Sequence, residues 1–171
     1  MRKNFWIVKG NPSYPIPGAD NRSGDIEGFL RAFNWSDWIT YRRIRDDFKP
    51  KDRVFFWSSG KIRAIVGLAT VRKVHKDKQH FDLNHISEDI LPRANQLGIE
   101  EIKNVFRRHF SPSRYDKVTY IKPCVVATIY PVADEEAHIL LRLLLDKNPK
   151  NSHLAEWFQA TPSISQPSHS L

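Results

Sequence analysis

The chain is poor in several things, and each shortage closes off a kind of function. One cysteine, Cys124, among 171 residues excludes an internal disulfide and any cysteine-based zinc cluster. It lies in the apolar run Cys124-Val125-Val126-Ala127, where a buried structural thiol is expected rather than a nucleophile. No stretch of about 20 apolar residues occurs, so no membrane-spanning helix is expected. The opening segment MRKNFWIVKGNP holds no apolar region of signal-peptide length. The expectation is therefore a cytoplasmic protein, nucleoid-associated if prokaryotic. The patterns Gly-x-x-x-x-Gly-Lys-Ser/Thr, Gly-x-Gly-x-x-Gly and His-Glu-x-x-His are all missing. Asp46-Asp47 and Glu135-Glu136 are adjacent pairs that diverge on a helix, so neither makes a carboxylate dyad. His75, His80 and His85 share a polar stretch with Asp77, Asp82 and Asp89, but their spacing of five fits no common zinc pattern. They are read as solvated surface histidines. No catalytic constellation, cofactor or metal is expected.

Acidic residues are also in the minority. Lys and Arg number 27 against 19 Asp and Glu, giving a formal charge of +8. An excess of this size is the usual footprint of a polyanion partner, most often nucleic acid. The cations are grouped: Arg42, Arg43, Arg45, Lys49, Lys51 and Arg53 form one cluster, and Arg63, Arg72, Lys73, His75, Lys76 and Lys78 a second. A third, Lys103, Arg107, Arg108 and His109, closes a helical segment.

Periodicity then gives the elements. Residues 5–9 read as a strand stopped by Gly10-Asn11-Pro12, and 11–24 as an irregular loop. Residues 25–33 and 39–48 carry helical stripes, the second ended by Pro50. Residues 54–58 and 62–74 read as two strands around a turn at 59–61. In the second of these, Ile65, Gly67, Ala69 and Val71 would share one face, and Ala64, Val66, Leu68 and Thr70 the other, with a bend or bulge at Gly67. A polar loop with a short strand is expected over 75–87. Residues 99–109 and 135–146 read as amphipathic helices, and 118–123 with 125–130 as one or two strands. Strands that do not alternate strictly with helices point to an α+β domain. A single domain over 1–160 is expected, with 161–171 as a flexible C-terminal tail.

Aromatics are what the chain has in excess. Phe55-Phe56-Trp57 poses a question, because successive strand residues point to opposite faces. Either both faces are covered or one ring is displayed to a ligand. Trp6 and Trp157 are read as core, whereas Trp35 and Trp38 sit in the polar junction NWSDW, open between packing and ligand contact. Rings beside Lys and Arg suit base stacking, worth roughly 1–3 kcal/mol per base.

The motif order FWIVKGNP, then RRIRDDFKPKDRVFFWSS, then AIVGLATV resembles the EVE domain of the PUA-like superfamily, a relative of the YTH domains. The corresponding pieces are residues 9–12, 42–45, 49–52, 55–59 and 65–71, with Lys51 where the pattern has a turn glycine and Trp38 where it has a polar residue. The resemblance implies a PUA-like curved mixed β-sheet or pseudo-barrel flanked by helices. It implies a non-catalytic DNA-binding reader of a flipped modified base, foremost a modified cytosine such as 5-methylcytosine in DNA rather than RNA. The base pocket would comprise Lys9, Gly10, Asn11, Trp35, Trp38, Trp57, Ser58 and Ser59. Phosphate contacts would come from Arg42, Arg43, Arg45, Lys49 and Arg63. A nuclease or restriction partner, a monomeric state and no membrane contact are expected with it. The alternative is an ASCH-type RNA-binding or RNA-processing enzyme on the same scaffold.

Overall fold

A computed structural model describes residues 4–11, 47–75, 80–84, 90–122 and 129–161. The expected helix over 25–33, residues 39–46 of the helical stripe expected over 39–48, Cys124 and residues 162–171 of the expected tail lie outside these residues. Residues 47 and 48 are not helical, and Thr161 is buried, its Oγ1 donating to Trp157 O at 2.7 Å. The strands are β1 (Phe5–Gly10), β2 (Arg53–Ser58), β3 (Ala64–His75), β4 (His80–Asn84), β5 (Leu97–Gly98) and β6 (Ile129–Val132). The helices are α1 (Ile99–His109), α2 (Pro112–Tyr115), α3 (Asp134–Lys147) and α4 (Ser152–Gln159). The strands form one mixed sheet in the order β4-β3-β2-β1-β6, with β5 also on β3. Among the described residues β1 and β2 run parallel and the other strand pairings are antiparallel. The sheet is open and not a closed barrel.

Both faces of this sheet are covered, which answers the question posed by Phe55-Phe56-Trp57. Phe5, Ile7, Phe55 and Trp57 pack on one side with Ile102, Phe106, Leu140, Leu144 and Trp157 from the helices. Trp6, Val8, Val54 and Phe56 pack on the other with Phe48, Phe81 and Leu83. Phe48 is a corner piece there, its ring edge-on to Trp6 (5.2 Å) and to Phe81 (4.7 Å).

The alternation expected for β3 does not hold. Ile65 and Leu68 face the helices, while Ala64, Val66, Ala69 and Val71 face the other layer. The reason is a bulge: Phe56 pairs with Gly67 but Trp57 pairs with Ile65, which leaves Val66 as an extra residue. One extra residue reverses the side of everything beyond it. Arg63, at φ 48°, delays the start of β3 to Ala64.

Between 118 and 122 the chain makes hydrogen-bonded turns rather than the expected strand, with Lys122 N–H donating to Thr119 O at 3.1 Å. Val132 closes β6, an edge strand, and an edge tolerates Pro131 because a missing N–H breaks no inner ladder. α4 was not expected from periodicity; Asn151 caps it, accepting from Leu154 N–H at 2.9 Å.

The turn before β2 departs from ordinary backbone at one residue. Lys51 has φ 74°, the left-handed region, at the position where the EVE pattern has glycine. Its N–H still donates to Val71 O at 2.7 Å. A side chain there costs energy that glycine does not. Lys51→Gly is expected to raise stability by about 0.5–1 kcal/mol in urea unfolding; a loss of stability would contradict this reading of the turn.

Candidate nucleic-acid interface

The parallel pairing of β1 and β2 determines what meets at their C-terminal ends. Lys9 lies opposite Trp57 and Gly10 opposite Ser58. The ladder continues past both strands: Ser59 N–H donates to Gly10 O at 2.7 Å, and Ser59 Oγ donates to the same oxygen at 3.1 Å. Gly60 follows at φ 80° and lies beneath the Asn11 carboxamide; a Cβ there would sit 3.0 Å from Asn11 Oδ1. The positive φ favours glycine, and an added Cβ would also press the Asn11 carboxamide aside by a few tenths of an ångström. Six of the eight residues expected to form the pocket, Lys9, Gly10, Asn11, Trp57, Ser58 and Ser59, are brought together. Trp35 and Trp38 lie outside the described residues.

Lys9 dominates the site. Its Nζ stands 5.4 Å from the centroid of the Trp57 ring and 5.0 Å from that of Tyr130, on the helix-facing side of the sheet. An ammonium over two aromatic faces is held by their quadrupoles. Burial, and secondarily the positive charge of Arg63, bring the Lys9 pKa down from 10.5 to about 8. Burial also pushes the Tyr130 phenol up. Tyr130 is the site residue that sequence reasoning missed. It reaches Lys9 because β6 pairs antiparallel with β1, placing Tyr130 opposite Ile7, and no local pattern announces that pairing.

Trp57 and Ser58 differ from the rim expected of them. The Trp57 ring is 2% exposed and belongs to the helix-side core, so it forms a floor under Lys9 rather than a displayed wall. Ser58 is 0% exposed, and its Oγ lies 3.4 Å from Ser59 O. The polar atoms nearer the surface belong to Asn11 and Ser59, both partly buried.

Of the expected phosphate contacts, Arg42, Arg43 and Arg45 lie outside the described residues. Arg63 is exposed at this end of the sheet and acts electrostatically on Lys9. Lys49 is at the opposite end of β2, roughly 17 Å away at about 3.3 Å per strand residue. It is not brought to the same place. Among the described residues no three His, Cys, Asp or Glu side chains converge as metal ligands. His75 is not simply solvated: its Nε2 lies 3.1 Å from Asp82 Oδ2, which also pairs with Arg72 at 3.1 Å. The spacing of five between His75 and His80 reflects a hairpin, since the two residues are partners across β3 and β4.

No family sequence model matches the chain, and no curated protein matches it by sequence. Solved structures do match it. Human THYN1, in complex with DNA containing 5-methylcytosine, aligns with a TM-score of 0.57 at 17% identity, over 83% of this chain and 98% of that one. Rpa0253 from Rhodopseudomonas palustris aligns with 0.56 at 17% identity, over 88% and 97%. The DUF55 domain of human thymocyte nuclear protein 1 aligns with 0.54 at 18% identity, over 82% and 98%. The chain shares the fold of these proteins, an open mixed sheet flanked by helices, as the resemblance implied. In this fold β1, which ends in Lys9 and Gly10, and the aromatic strand β2 lie side by side. Identities this low establish the fold alone.

Proposed function

We propose that the chain is a non-catalytic nucleic-acid-binding module, spanning 1–160, that accepts a flipped modified base at the joined ends of β1 and β2. The observation that carries this reading is the placement of Lys9 over Trp57 and Tyr130, beside Asn11, Ser59 and the exposed Arg63. A base leaving the stack needs an aromatic surface, donors and acceptors for its edge, and cations for the flanking phosphates. The site offers the donors, acceptors and cations at its surface, while the Trp57 and Tyr130 rings lie buried beneath Lys9 and support it from below. Lys9 supplies a charged donor to a base acceptor or phosphate, Asn11 and Ser59 read the base edge, and Arg63 holds phosphate. The resemblance would make Trp35 or Trp38, outside the described residues, the aromatic wall for the base. The DNA bound by human THYN1 contains 5-methylcytosine, and a modified cytosine in DNA is the ligand we infer here. A nuclease partner would supply any cleavage.

Flipping is tested with 2-aminopurine placed beside the modified base in a duplex. Unstacking should raise its fluorescence on addition of protein, and the DNA should be recovered intact. Tight binding with unchanged fluorescence would remove base flipping from the account, and cleaved DNA would remove the non-catalytic reading.

A further inference from the structure

The strand-end site leaves the third cationic cluster of the sequence unused, and the structure enlarges that cluster. Between residues 103 and 122 stand six Lys or Arg and a single acid, Asp116. Three of these cations have local roles. Lys103 pairs with Glu100 at 3.1 Å, and Arg114 is bound to the buried Glu136, which also accepts from Tyr120 Oη at 3.0 Å. Lys122 Nζ donates to the backbone oxygen of Asp116 and pairs with no carboxylate among the described residues. Arg107, Arg108 and Lys117 are exposed, and none has a carboxylate within 4 Å among the described residues.

Their positions are fixed. The Arg107 guanidinium lies over the Tyr115 ring, 5.5 Å from its centroid, so α1 and α2 present one surface. Arg108 Nε donates to Asn104 O at 3.2 Å. Lys117 follows two residues after Tyr115, its N–H bonded to Arg114 O. Helix-dipole pairing accounts for cations in the last turn of α1. It does not account for Lys117 and Lys122, which lie beyond that helix, nor for the shortage of acids around them.

The start of α1 is tied to the strand-end site, because Ile99 N–H donates to Arg63 O at 2.9 Å. Eleven residues at 1.5 Å each carry α1 about 16 Å from Arg63. That distance matches about five steps of a duplex, at 3.4 Å per step along one strand. We propose that Arg107, Arg108, Lys117 and Lys122 form a second contact surface for the phosphate backbone of the same nucleic acid, at the far end of α1 from the strand-end site. This rests on the nucleic-acid binding proposed above but not on base recognition.

The test uses the triple variant R107Q/R108Q/K117Q, with thermal unfolding as a control for folding. A fluorescent 20-base-pair duplex, with and without the modified base, is titrated between 50 and 200 mM salt. Loss of three phosphate contacts should reduce the slope of log K against log salt by about 2.7. Affinity for both duplexes should fall by the same factor, and an 8-base-pair duplex should bind unchanged. The double variant K117Q/K122Q, whose positions lie outside the helices, should lower the slope by about 1.8 and guards against a folding defect in α1. An unchanged slope in both variants overturns the second surface while leaving base preference intact. A reduced slope in a protein with no base preference keeps the second surface and removes the reader. Absence of nucleic-acid binding by the unaltered chain overturns both.

Discussion

Asp52→Ala should lower the unfolding free energy by about 3–5 kcal/mol, the largest loss we expect from a single polar residue here. Asp52 is 3% exposed, and its carboxylate satisfies three separate donors. Oδ1 accepts from Asn4 N–H at 3.0 Å; Oδ2 accepts from Trp6 Nε1 at 2.9 Å and from Lys49 N–H at 3.0 Å. One side chain therefore binds the entry to β1, the indole on its buried face and the turn that leads into β2. Alanine would leave the buried Trp6 indole N–H with no acceptor and would strip the part-buried Asn4 and Lys49 N–H groups of a charged one. An unsatisfied buried group costs about 1–3 kcal/mol, and each lost bond to a charge a further share of that order. Asp52→Asn keeps one carbonyl acceptor and should cost roughly half as much. Urea unfolding measures both. A loss below about 1 kcal/mol for the alanine variant would show that the turn is held by its backbone bonds alone.

Lys9→Met should weaken nucleic-acid binding by about 10–100-fold, the yield of one charge-assisted contact of about 1.5–3 kcal/mol. Methionine keeps an unbranched stem against Trp57 and Tyr130, so the fold should survive and gain from losing a half-buried charge near Arg63. The pH dependence gives an independent check. The folded Lys9 pKa of about 8 lies below the ordinary 10.5 of an unfolded chain. Between these values the unfolded state binds more protons, so this group makes stability rise with pH from about 8 towards 10.5. Binding runs the other way, since the ammonium that meets the nucleic acid is lost above about pH 8. Opposite trends in stability and affinity over that window are the signature of Lys9, and both should vanish in the methionine variant. Equal affinity of variant and parent would exclude Lys9 from the interface.

What the sequence showed, and what it concealed, follows the range of the interactions involved. α1 was legible because its buried stripe of Ile102 and Phe106, acidic start and basic end are all local signals. β1 and β2 were legible as strands, whereas FFW left two readings open, both faces covered or one ring displayed, and the structure has both faces covered with Trp57 buried. Gly67 signalled a bulge in β3, and one lies beside it at Val66, but the exact extra residue, and so which side chains share a face, is set only by the pairing with β2. The burial of Trp57 depends on the helix-side core assembling over the sheet, and the role of Tyr130 depends on β6 joining the edge beside β1. The Lys51 turn is a different case. A glycine pattern pointed to a left-handed residue, and the chain meets that geometry with lysine.

The central claim is that the strand-end site discriminates one base, and competition binding tests it most directly. A panel of duplex and single-stranded oligonucleotides, DNA and RNA, would differ only in the modification of one base. The account predicts tighter binding to an oligonucleotide carrying a modified cytosine in DNA than to its unmodified twin, with the preference lost in Lys9→Met. Equal affinity across the whole panel would contradict it.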